Sequence, residues 1–513
     1  MSWQKEVDEL NRLKGLAAEM GGEASLSRRR ASGRLNVRER IAKLVDEDSF
    51  REIGGLTGRP EFDANGVVTK LAPGNFIFGR AKIDGRPAVV AGDDYSVVGS
   101  AGGATVPGKF AMCEKMANEL RIPLVRLLES TGGNSRSLEQ MGRTYIPEME
   151  GWETVVANMA TIPVVALGLG PVAGIGAAKM VFSHYSVMVR GQSHMFMAGP
   201  PLVARLGETV TKEQLGGADL QARAGGVDEV VDSEEEAFAC AKRFLSYMPT
   251  SIHDLAERAA PTDDPERRDG WLIKAVPKER RRAYDMRAII KSVFDAGSFT
   301  EMTRKFGASV ITGLARLDGW PVAVMASDPF QYGGAWTTES NAKVERFVDL
   351  ANTFHLPVVN LVDVPGFLIG RDAERAGTLR SGARALSAVF QAKVPWCTVM
   401  IRKVFGVAGA SHADHTRYHY RFSWPSGDWG SIPIEGGIES AYKEELAKAE
   451  DRAAMLAQIE SRLNEIRSPL RTAMAFDCED IIDPRETRPL LCEFANNVAR
   501  LRQTGPVATG LRP

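Results

Sequence analysis

The stretch TIPVVALGLGPVAGIGAAKM, residues 161–180, combines the patterns of a strand, a turn and a helix. β-Branched residues around Pro163 predict a buried strand, and the small residues from Gly168 onward predict a tight turn that opens a helix. Amides at such a turn have no acceptor within the helix, so they suit an anion or a developing oxyanion. Taken alone, this pattern more often marks close packing than a functional site.

The same pattern occurs again in KVPWCTVMIRKVFGVAGA, residues 393–410. Pro163 aligns with Pro395 and Gly174 with Gly406, and both pairs are 232 residues apart. Upstream of these turns the spacing is 234 residues, and at this spacing FGRAKIDGRP (78–87) aligns with TGLARLDGWP (312–321). The same spacing pairs Lys109 with Lys343, Glu129 with Asp363 and Gly132 with Gly366. Two unrelated turns would not share these registers, so the sequence predicts a duplicated fold.

Each half alternates short β runs with helical runs, which predicts a sheet with helices packed on it. The expected helices lie at residues 2–20, 36–47, 109–120, 140–159, 233–244 and 440–466. A connector rich in proline, aspartate and arginine near residues 255–285 predicts the domain boundary. The predicted domains are residues 1–260 and 261–513.

The composition excludes several classes of protein. The 64 basic and 65 acidic residues balance, so no polyanion-binding surface and no nucleic-acid partner are expected. Five scattered cysteines without a CxxC pair argue against a disulfide framework and for a reducing compartment. The N-terminus has no apolar signal segment, so a soluble, cytoplasmic protein without a membrane partner is expected. The basic runs at residues 28–30 and 280–282 are expected to be solvated, with the phosphates of a small ligand as the alternative.

Longer motifs are spread over both halves. They are GQSHMFMAGP (191–200), GETVTKEQLGGA (207–218), DDPERR (263–268), YDMR (284–287), LVDVPGFLIG (361–370) and IRKVFG (401–406). By these motifs the chain resembles, over nearly its whole length, the carboxyltransferase β subunits of biotin-dependent acyl-CoA carboxylases, such as those acting on propionyl-CoA and methylcrotonyl-CoA.

The resemblance implies an α/β fold of two tandem crotonase-like (ClpP/crotonase) domains, each made of repeated ββα units. It implies that acyl-CoA lies mainly on residues 1–260 and biotin mainly on residues 261–513. It also implies a homo-oligomer, usually a hexamer, with active sites at a dimer interface. There the first half of one subunit would face the second half of another.

The reaction implied by the family moves a carboxyl group from carboxybiotin, held on a carrier partner, to an acyl-CoA thioester through an enolate. Negative charge develops on the ureido oxygen of biotin and on the thioester oxygen, and the freed biotin nitrogen can take the α-proton. The protein then needs two fixed pairs of N–H donors more than a side-chain base. The family's motifs place these catalytic donors at the amides of Gly174 and Ile175 and at those of Val407 and Ala408. Which pair serves which oxygen stays open.

The same motifs imply further contacts with the ligands. The substrate-binding residues would be Gly99, Ser100, Gly132, Gly133 and Ala173. The cofactor-binding residues, which would contact biotin, are Gly366, Phe367, Phe405 and Gly406. Glu129 and Asp363 occupy equivalent positions in the two halves, and they are expected to order their loops and not to form a catalytic pair.

The chain departs from the family's pattern at both turns. The family often has Gly-Gly where this chain has Gly174-Ile175 and Gly406-Val407. An amide donor survives the loss of glycine if φ is negative, but the new side chains would narrow a pocket. A histidine of the family is replaced by Gln221. These changes leave the acyl group of the substrate undetermined.

No metal site is expected. His412, His415 and His419 have the spacing of one helix face, but their aromatic neighbours favour packing or substrate walls. His194, within a family motif, is expected to be structural. The chain shows no biotin-carrier domain and no ATP-grasp signature, so a biotin carboxylase and a biotin carboxyl carrier are expected as partners.

The main hypothesis is therefore the carboxyltransferase subunit of a biotin-dependent ligase complex, an acyl-CoA carboxylase. One alternative is the reverse reaction, as the acyl-CoA decarboxylase subunit of a membrane sodium pump. Another is a non-catalytic scaffold homologue, suggested by the altered glycines. A simple crotonase hydratase would need neither the second domain nor these motifs.

Overall fold

The computed structural model describes residues 2–101, 106–133, 138–139, 142–414 and 420–508. The chain forms two compact units, of which the first ends at Asp254 and the second begins at Leu255. Each unit is built on one large sheet that carries its helices.

The strands of the first unit are β1 (Arg51–Glu52), β2 (Gly58–Phe62), β3 (Val68–Pro73), β4 (Phe76–Ile83), β5 (Arg86–Asp93), β6 (Leu124–Ser130), β7 (Val164–Ala173), β8 (Tyr185–Val189), β9 (His194–Phe196) and β10 (Glu229–Val231). The sheet order is β1-β4-β5-β6-β7-β8-β10, and β9 pairs with the far end of β7. The sheet is antiparallel from β1 to β5 and parallel beyond. The central strands are buried along their whole length, which explains their nearly continuous apolar sequence.

The helices of the first unit are α1 (Gln4–Ala18), α2 (Glu23–Ala31), α3 (Val37–Leu44), α4 (Pro107–Leu120), α5 (Trp152–Asn158), α6 (Ile175–Val181), α7 (Pro200–Val203), α8 (Lys212–Gly216), α9 (Ala218–Arg223) and α10 (Glu234–Tyr247). α3 begins with a capping box, in which the side chains of Asn36 and Glu39 each accept the other's backbone amide. This cap fixes the start of a helix whose buried face carries Arg40.

The strands of the second unit are β11 (Thr300–Met302), β12 (Val310–Leu317), β13 (Trp320–Ser327), β14 (Val358–Val364), β15 (Trp396–Phe405), β16 (Tyr420–Ser423), β17 (Asp428–Gly430) and β18 (Asp480–Ile481). Their order is β11-β12-β13-β14-β15-β16-β18, and β17 pairs with the far end of β15. This order repeats that of the first unit. It confirms the predicted α/β fold of two tandem crotonase-like domains.

The helices of the second unit are α11 (Met286–Val293), α12 (Thr338–Thr353), α13 (Arg371–Arg375), α14 (Thr378–Gln391), α15 (Gly406–Ala410), α16 (Ile434–Ala441), α17 (Lys443–Lys448), α18 (Arg452–Ile466), α19 (Pro469–Met474) and α20 (Thr487–Val498). α11 and α20 pack on the sheet, where Phe294, Trp424 and Phe494 belong to one buried core. Across the described ranges, no helix is long and apolar enough to cross a bilayer.

The helix predicted at residues 140–159 is wrong in extent. In the described part of this stretch, the helix is α5 alone. Pro147 lacks an amide hydrogen for a helix, and Gly151 has a left-handed φ of +83° immediately before α5. The charged and apolar residues before Gly151 therefore do not form a further helical turn ahead of α5.

The helix predicted at residues 440–466 is also wrong, because this segment is divided among α16, α17 and α18. α16 ends at Ala441, and α18 restarts where the side chain of Asp451 accepts two amides of its first turn. α2, which contains the basic run at residues 28–30, was not predicted from the sequence.

Candidate active site

The first glycine turn joins β7 to α6. β7 ends at Ala173, Gly174 adopts a φ of +58° and a ψ of −121°, and α6 begins at Ile175. A Cβ atom added at Gly174 would meet no atom within 4 Å. Glycine is therefore required for its left-handed φ and not for space, and it reverses the chain from strand to helix within one residue.

The second turn has the same construction. β15 ends at Phe405, and Gly406, with a φ of +59°, is the first residue of α15. Ile175 and Val407, which replace the second glycine of the family's pattern, do not have a positive φ, so neither replacement strains the backbone. Both residues are exposed, Ile175 to 47% and Val407 to 58%.

The amides at the two turns have no recorded acceptor among the described residues. In the part of the chain that the structure describes, none of the amides of Gly174, Ile175, Val407 and Ala408 donates a hydrogen bond to another residue. α6 has seven residues and α15 has five, so their dipoles are small. Any attraction for an oxyanion would come from the amide donors themselves.

The structure brings most of the predicted substrate-binding residues together. The carbonyl oxygen of Gly99 accepts both the amide and the hydroxyl of Thr131, each at 3.1 Å. A Cβ atom added at Gly132 would lie 3.4 Å from Ala173. The turn at Gly99, the loop at Gly132 and the end of β7 are therefore adjacent. Ser100 and Gly133, the other two predicted substrate-binding residues, directly follow Gly99 and Gly132 in the chain.

The turn at Gly99 is strained, and the second unit repeats it. Val98–Ser100 has φ values of +52°, +63° and +52°, and Tyr332–Gly334 has +50°, +63° and +87°. A β-branched valine with positive φ is a genuine outlier, and such strain concentrates at functional sites. In the second unit Lys403 donates to the carbonyl oxygen of Gly333 at 2.6 Å, which holds the turn beside β15.

Three of the four predicted cofactor-binding residues are adjacent in the second unit. A Cβ atom added at Gly366, whose φ is +125°, would lie 3.8 Å from the carbonyl oxygen of Phe405, the residue before Gly406. The ring of Phe367 instead turns onto α14. A Cβ atom added at Gly382 would lie 2.5 Å from that ring, so glycine there permits the contact.

A buried ion cluster holds the end of β6. Glu129 is fully buried, and its carboxylate accepts from Arg29 at 2.7 Å and from Arg40 at 2.5 Å. Arg40 also donates to Glu234 at 2.8 Å. The basic run at residues 28–30 was expected to be solvated, and this is wrong for Arg29, which pairs inside the unit.

The equivalent Asp363, at the end of β14, has different partners. Its carboxylate accepts from the hydroxyl of Tyr284 at 2.9 Å, from the guanidinium of Arg402 at 3.0 Å and from the amide of Lys403 at 3.0 Å. Tyr284 belongs to the YDMR motif and Arg402 to the IRKVFG motif, so two family motifs meet at one carboxylate. The contacts of both acids fit the loop-ordering role that the sequence predicts.

The arginines that hold Glu129 were not predicted from the sequence. A signal for Arg40 is present, because it shares the core-facing side of α3 with Val37, Ile41 and Leu44. A charged residue at such a position requires a buried partner. The sequence does not reveal which acid this partner is, since Glu129 lies far along the chain.

The amide of each of these acids donates to a side chain of the preceding strand. The Glu129 amide donates to the carboxylate of Asp93 at 3.1 Å. The Asp363 amide donates to the hydroxyl of Ser327 at 3.0 Å. The two units therefore use a charged and a neutral acceptor at the same position.

In the first unit, Lys179 on α6 carries the charge opposite to that of the Asp93 carboxylate. Its ammonium lies 3.8 Å from the centre of the Phe110 ring. Burial raises the pKa of Asp93 against the attraction of Lys179, and burial lowers the pKa of Lys179 against the attraction of Asp93. The second unit has Ser411 in place of Lys179, so it has neither charge at these two positions.

The GETVTKEQLGGA motif packs against β9. The carboxylate of Glu213 lies 3.1 Å from Nε2 of His194, and a Cβ atom added at Gly217 would lie 2.2 Å from that carboxylate. Gln221 donates to the carbonyl oxygen of Met195 at 2.7 Å. Burial lowers the pKa of His194, and the smaller opposing effect of Glu213 raises it. These contacts fit the structural role expected for His194.

The described ranges contain no group of three or more histidine, cysteine or acidic side chains arranged to hold a metal ion. His412 is buried, and its Nδ1 lies 2.8 Å from the carbonyl oxygen of Gly409. His415 and His419 lie outside the described residues.

Comparisons with known proteins identify relatives along almost the whole chain. The carboxyl transferase domain family matches residues 28–505. The propionyl-CoA carboxylase carboxyltransferase subunit of Haloferax mediterranei is 30% identical over 99% of this chain and 98% of its own length. The biotin-dependent long-chain acyl-CoA carboxylase beta4 subunit of Mycobacterium tuberculosis is 32% identical over 95% of this chain and 93% of its own. A hexameric transcarboxylase 12S structure, with methylmalonyl-coenzyme A and methylmalonic acid bound, has a TM-score of 0.89 and 28% identity, covering 99% of this chain and 98% of that one.

Replacing Lys179 with methionine should destabilise the protein more at pH 8 than at pH 5. The Asp93 carboxylate would then remain buried without the opposing charge, at a cost of about 2 kcal/mol. Because the pKa of Asp93 is raised in the folded protein, protonation favours folding, and this contribution is lost as the pH rises through that pKa. Thermal or urea denaturation of both proteins at the two pH values measures the difference.

The matched control is the double variant Asp93→Ser/Lys179→Ser, which copies the pair Ser327 and Ser411. It should show no such added dependence on pH, because both charges are absent. Equal destabilisation by Lys179→Met at pH 5 and pH 8 would contradict the electrostatic interpretation and leave only lost packing on Phe110.

Proposed function

Since the chain belongs to the carboxyl transferase family, as a carboxyltransferase of the biotin-dependent acyl-CoA carboxylase type, we propose how its residues perform that reaction. The carboxyl group passes from carboxybiotin to the carbon chain of an acyl-CoA thioester through an enolate. The observation that carries this proposal is the pair of matching glycine turns, whose amides lack acceptors among the described residues.

Each turn would hold one oxygen on which negative charge develops. The amides of Gly174 and Ile175 would donate to one oxygen, and those of Val407 and Ala408 to the other. A preorganised donor of this kind lowers a barrier by about 3 kcal/mol. When bound, carboxybiotin supplies the carboxyl group and a basic ring nitrogen.

The nearby acidic side chains are poor candidates for the base. Glu129 is paired with Arg29 and Arg40, and Asp363 with Tyr284 and Arg402. The oxygens of both carboxylates are occupied by these donors, so neither side chain is free to take a proton from an α-carbon. The chain itself would therefore act by binding, orientation and oxyanion stabilisation.

The residues around the turns suit the two ligands. Gly366 and Gly406 leave backbone uncovered by side chains, which permits the close approach of a flat ureido ring. Phe405 and Phe367 would complete the biotin site. The acyl-CoA site would comprise Gly99, Ser100, Gly132, Gly133 and Ala173. With this assignment residues 1–260 form the acyl-CoA domain and residues 261–513 the biotin domain.

The proposed assembly is a hexamer, as in the related transcarboxylase 12S structure. Its active sites would lie at a dimer interface, between the first domain of one subunit and the second domain of another. A biotin carboxylase and a biotin carboxyl carrier would load and deliver the biotin. We place this complex in the cytoplasm.

The decisive assay follows labelled carbon. Purified protein is mixed with a carrier that bears [14C]carboxybiotin and with acetyl-, propionyl-, methylcrotonyl- or long-chain acyl-CoA. Transfer of label to at least one thioester is expected, and the preferred thioester identifies the acyl group. If no thioester in the panel acquires label, and labelled methylmalonyl-CoA transfers none to free biotin, the protein is a non-catalytic homologue.

The substitution Ile175→Pro should remove one amide donor of the first turn with little change in the fold. Ile175 is the first residue of α6, where proline is tolerated because its fixed φ suits a helix and its missing amide hydrogen has no partner in the helix. We expect kcat for the transfer of label to fall roughly 100-fold in Ile175→Pro. The variant Ile175→Gly keeps the amide and should retain activity, with wider acceptance of acyl groups.

The same pair of substitutions at the second turn tests the second donor. Val407→Pro should lower kcat by a similar factor of roughly 100, whereas Val407→Gly should remain active. Circular dichroism and the thermal midpoint of each variant report on folding. Full activity in both proline variants, with the fold intact, would exclude these amides from catalysis.

A further inference from the structure

A buried arginine caps the short helix that follows the first glycine turn. Nη1 of Arg126, on β6, donates to the carbonyl oxygen of Phe182 at 2.6 Å and to that of Lys179 at 3.2 Å. Lys179 lies in the last turn of α6, and Phe182 is the residue that follows the helix. The last carbonyl oxygens of a helix receive no hydrogen bond from an amide of the same helix, so they depend on donors outside it.

Arg126 is itself rigidly held. It is 2% exposed, and its Nε and Nη2 atoms donate to the two carboxylate oxygens of Glu114 at 2.9 and 2.8 Å. The side-chain amide of Asn158 also donates to this carboxylate, at 2.9 Å. The guanidinium therefore has one orientation, with one edge on Glu114 and the other on the end of α6.

The second unit has a corresponding contact with a different side chain. Asn360 lies on β14, 234 residues after Arg126, and its side-chain amide donates to the carbonyl oxygen of His412 at 3.2 Å. Thr398, its neighbour on β15, donates its hydroxyl to the same oxygen at 3.2 Å. His412 lies two residues beyond the end of α15, so this contact holds the segment that leaves the second turn helix.

These contacts matter because the helices are short. α6 has seven residues and α15 has five, and helices of this length do not keep a fixed direction by themselves. The amides of Gly174 and Ile175 lie at the start of α6, and those of Val407 and Ala408 lie at the start of α15, so a tilt of either helix changes the direction of its amides. Displacement by about 1 Å at a catalytic group can cost roughly 100-fold in rate.

We propose that Arg126 and Asn360 are positioning residues, which aim the amides of the two glycine turns by fixing the far ends of α6 and α15. This inference rests on the proposed function of the turns. Arg126 makes two charge-assisted bonds to its helix, whereas Asn360 makes one neutral bond beside that of Thr398. The first turn should therefore depend on its positioning residue more strongly than the second.

The test removes the contact without leaving a buried charge. The double variant Glu114→Met/Arg126→Met replaces a buried ion pair by apolar side chains of similar size, an exchange that is often neutral for stability. Its thermal midpoint should stay close to that of the unchanged protein. Its kcat should fall roughly 10- to 100-fold, while KM for acyl-CoA changes much less.

Two further variants grade the effect. The single variant Arg126→Lys keeps a cationic donor, so it should retain part of the kcat that the double variant loses. Asn360→Leu should lower kcat by roughly threefold to tenfold, less than the first-unit variant, because Thr398 still holds His412. Lys115→Met, which removes an exposed charge next to Glu114 on α4, is the matched control and should leave kcat unchanged.

Hydrogen exchange of the segment at residues 164–182 gives a readout that does not depend on activity. Faster exchange in α6 of the double variant, together with the fall in kcat, is the expected result. Unchanged exchange would overturn the positioning role of Arg126, whatever the activity. Faster exchange with full kcat would instead overturn the catalytic role proposed for the turn at Gly174.

Discussion

The left-handed φ of one glycine at the end of a central strand is the constraint on which each unit depends. Gly174 and Gly406 have almost the same φ, +58° and +59°, and each turns the chain from a buried strand into a helix within a single residue. A residue with a Cβ atom would destabilise the fold by about 1–3 kcal/mol in such a sparsely populated conformation. The amides of Gly174, Ile175, Val407 and Ala408, at these two reversals, find no acceptor among the described residues. The strand, the turn and the proposed oxyanion donors thus have one physical cause.

A turn of this kind is useful only if the neighbouring strand ends are fixed, and the two units achieve this with different chemistry. Glu129 is held by two arginines from outside the sheet, while Asp363 is held by a tyrosine hydroxyl and by Arg402 from the adjacent strand. The backbone positions and the acidic character are retained, but the partners have changed. The duplicated backbone therefore constrains where a buried charge is placed, and it constrains much less which residue neutralises it.

The parts of the fold that depend on local pattern were predictable from the sequence. The strand and turn at residues 161–180 follow from β-branched residues and glycine, and the constant spacing to residues 393–410 gives the duplication. The predictions that were wrong or missing concern contacts between distant segments and positions where a helix is interrupted. Pro147 and Gly151 shorten a predicted helix, and Asp451 starts a new one. The buried partners of Glu129 could not be assigned, because a charge pair between distant segments leaves no periodic signal.

The first unit holds its turn helix through charges, and the second through neutral groups. Arg126 and the attraction between Lys179 and Asp93 act in the first unit, where the second has Asn360, Ser411 and Ser327. Charge-assisted hydrogen bonds are roughly twice as strong as neutral ones, so the first turn is held more firmly. Each turn is proposed to hold an oxygen that gains negative charge during the reaction, either the thioester oxygen or the ureido oxygen of biotin. Stabilisation of that charge requires donors that do not reorganise during the reaction. The firmer anchoring of the first turn fits this requirement, since a hydrogen bond aimed in advance contributes its full strength in the transition state.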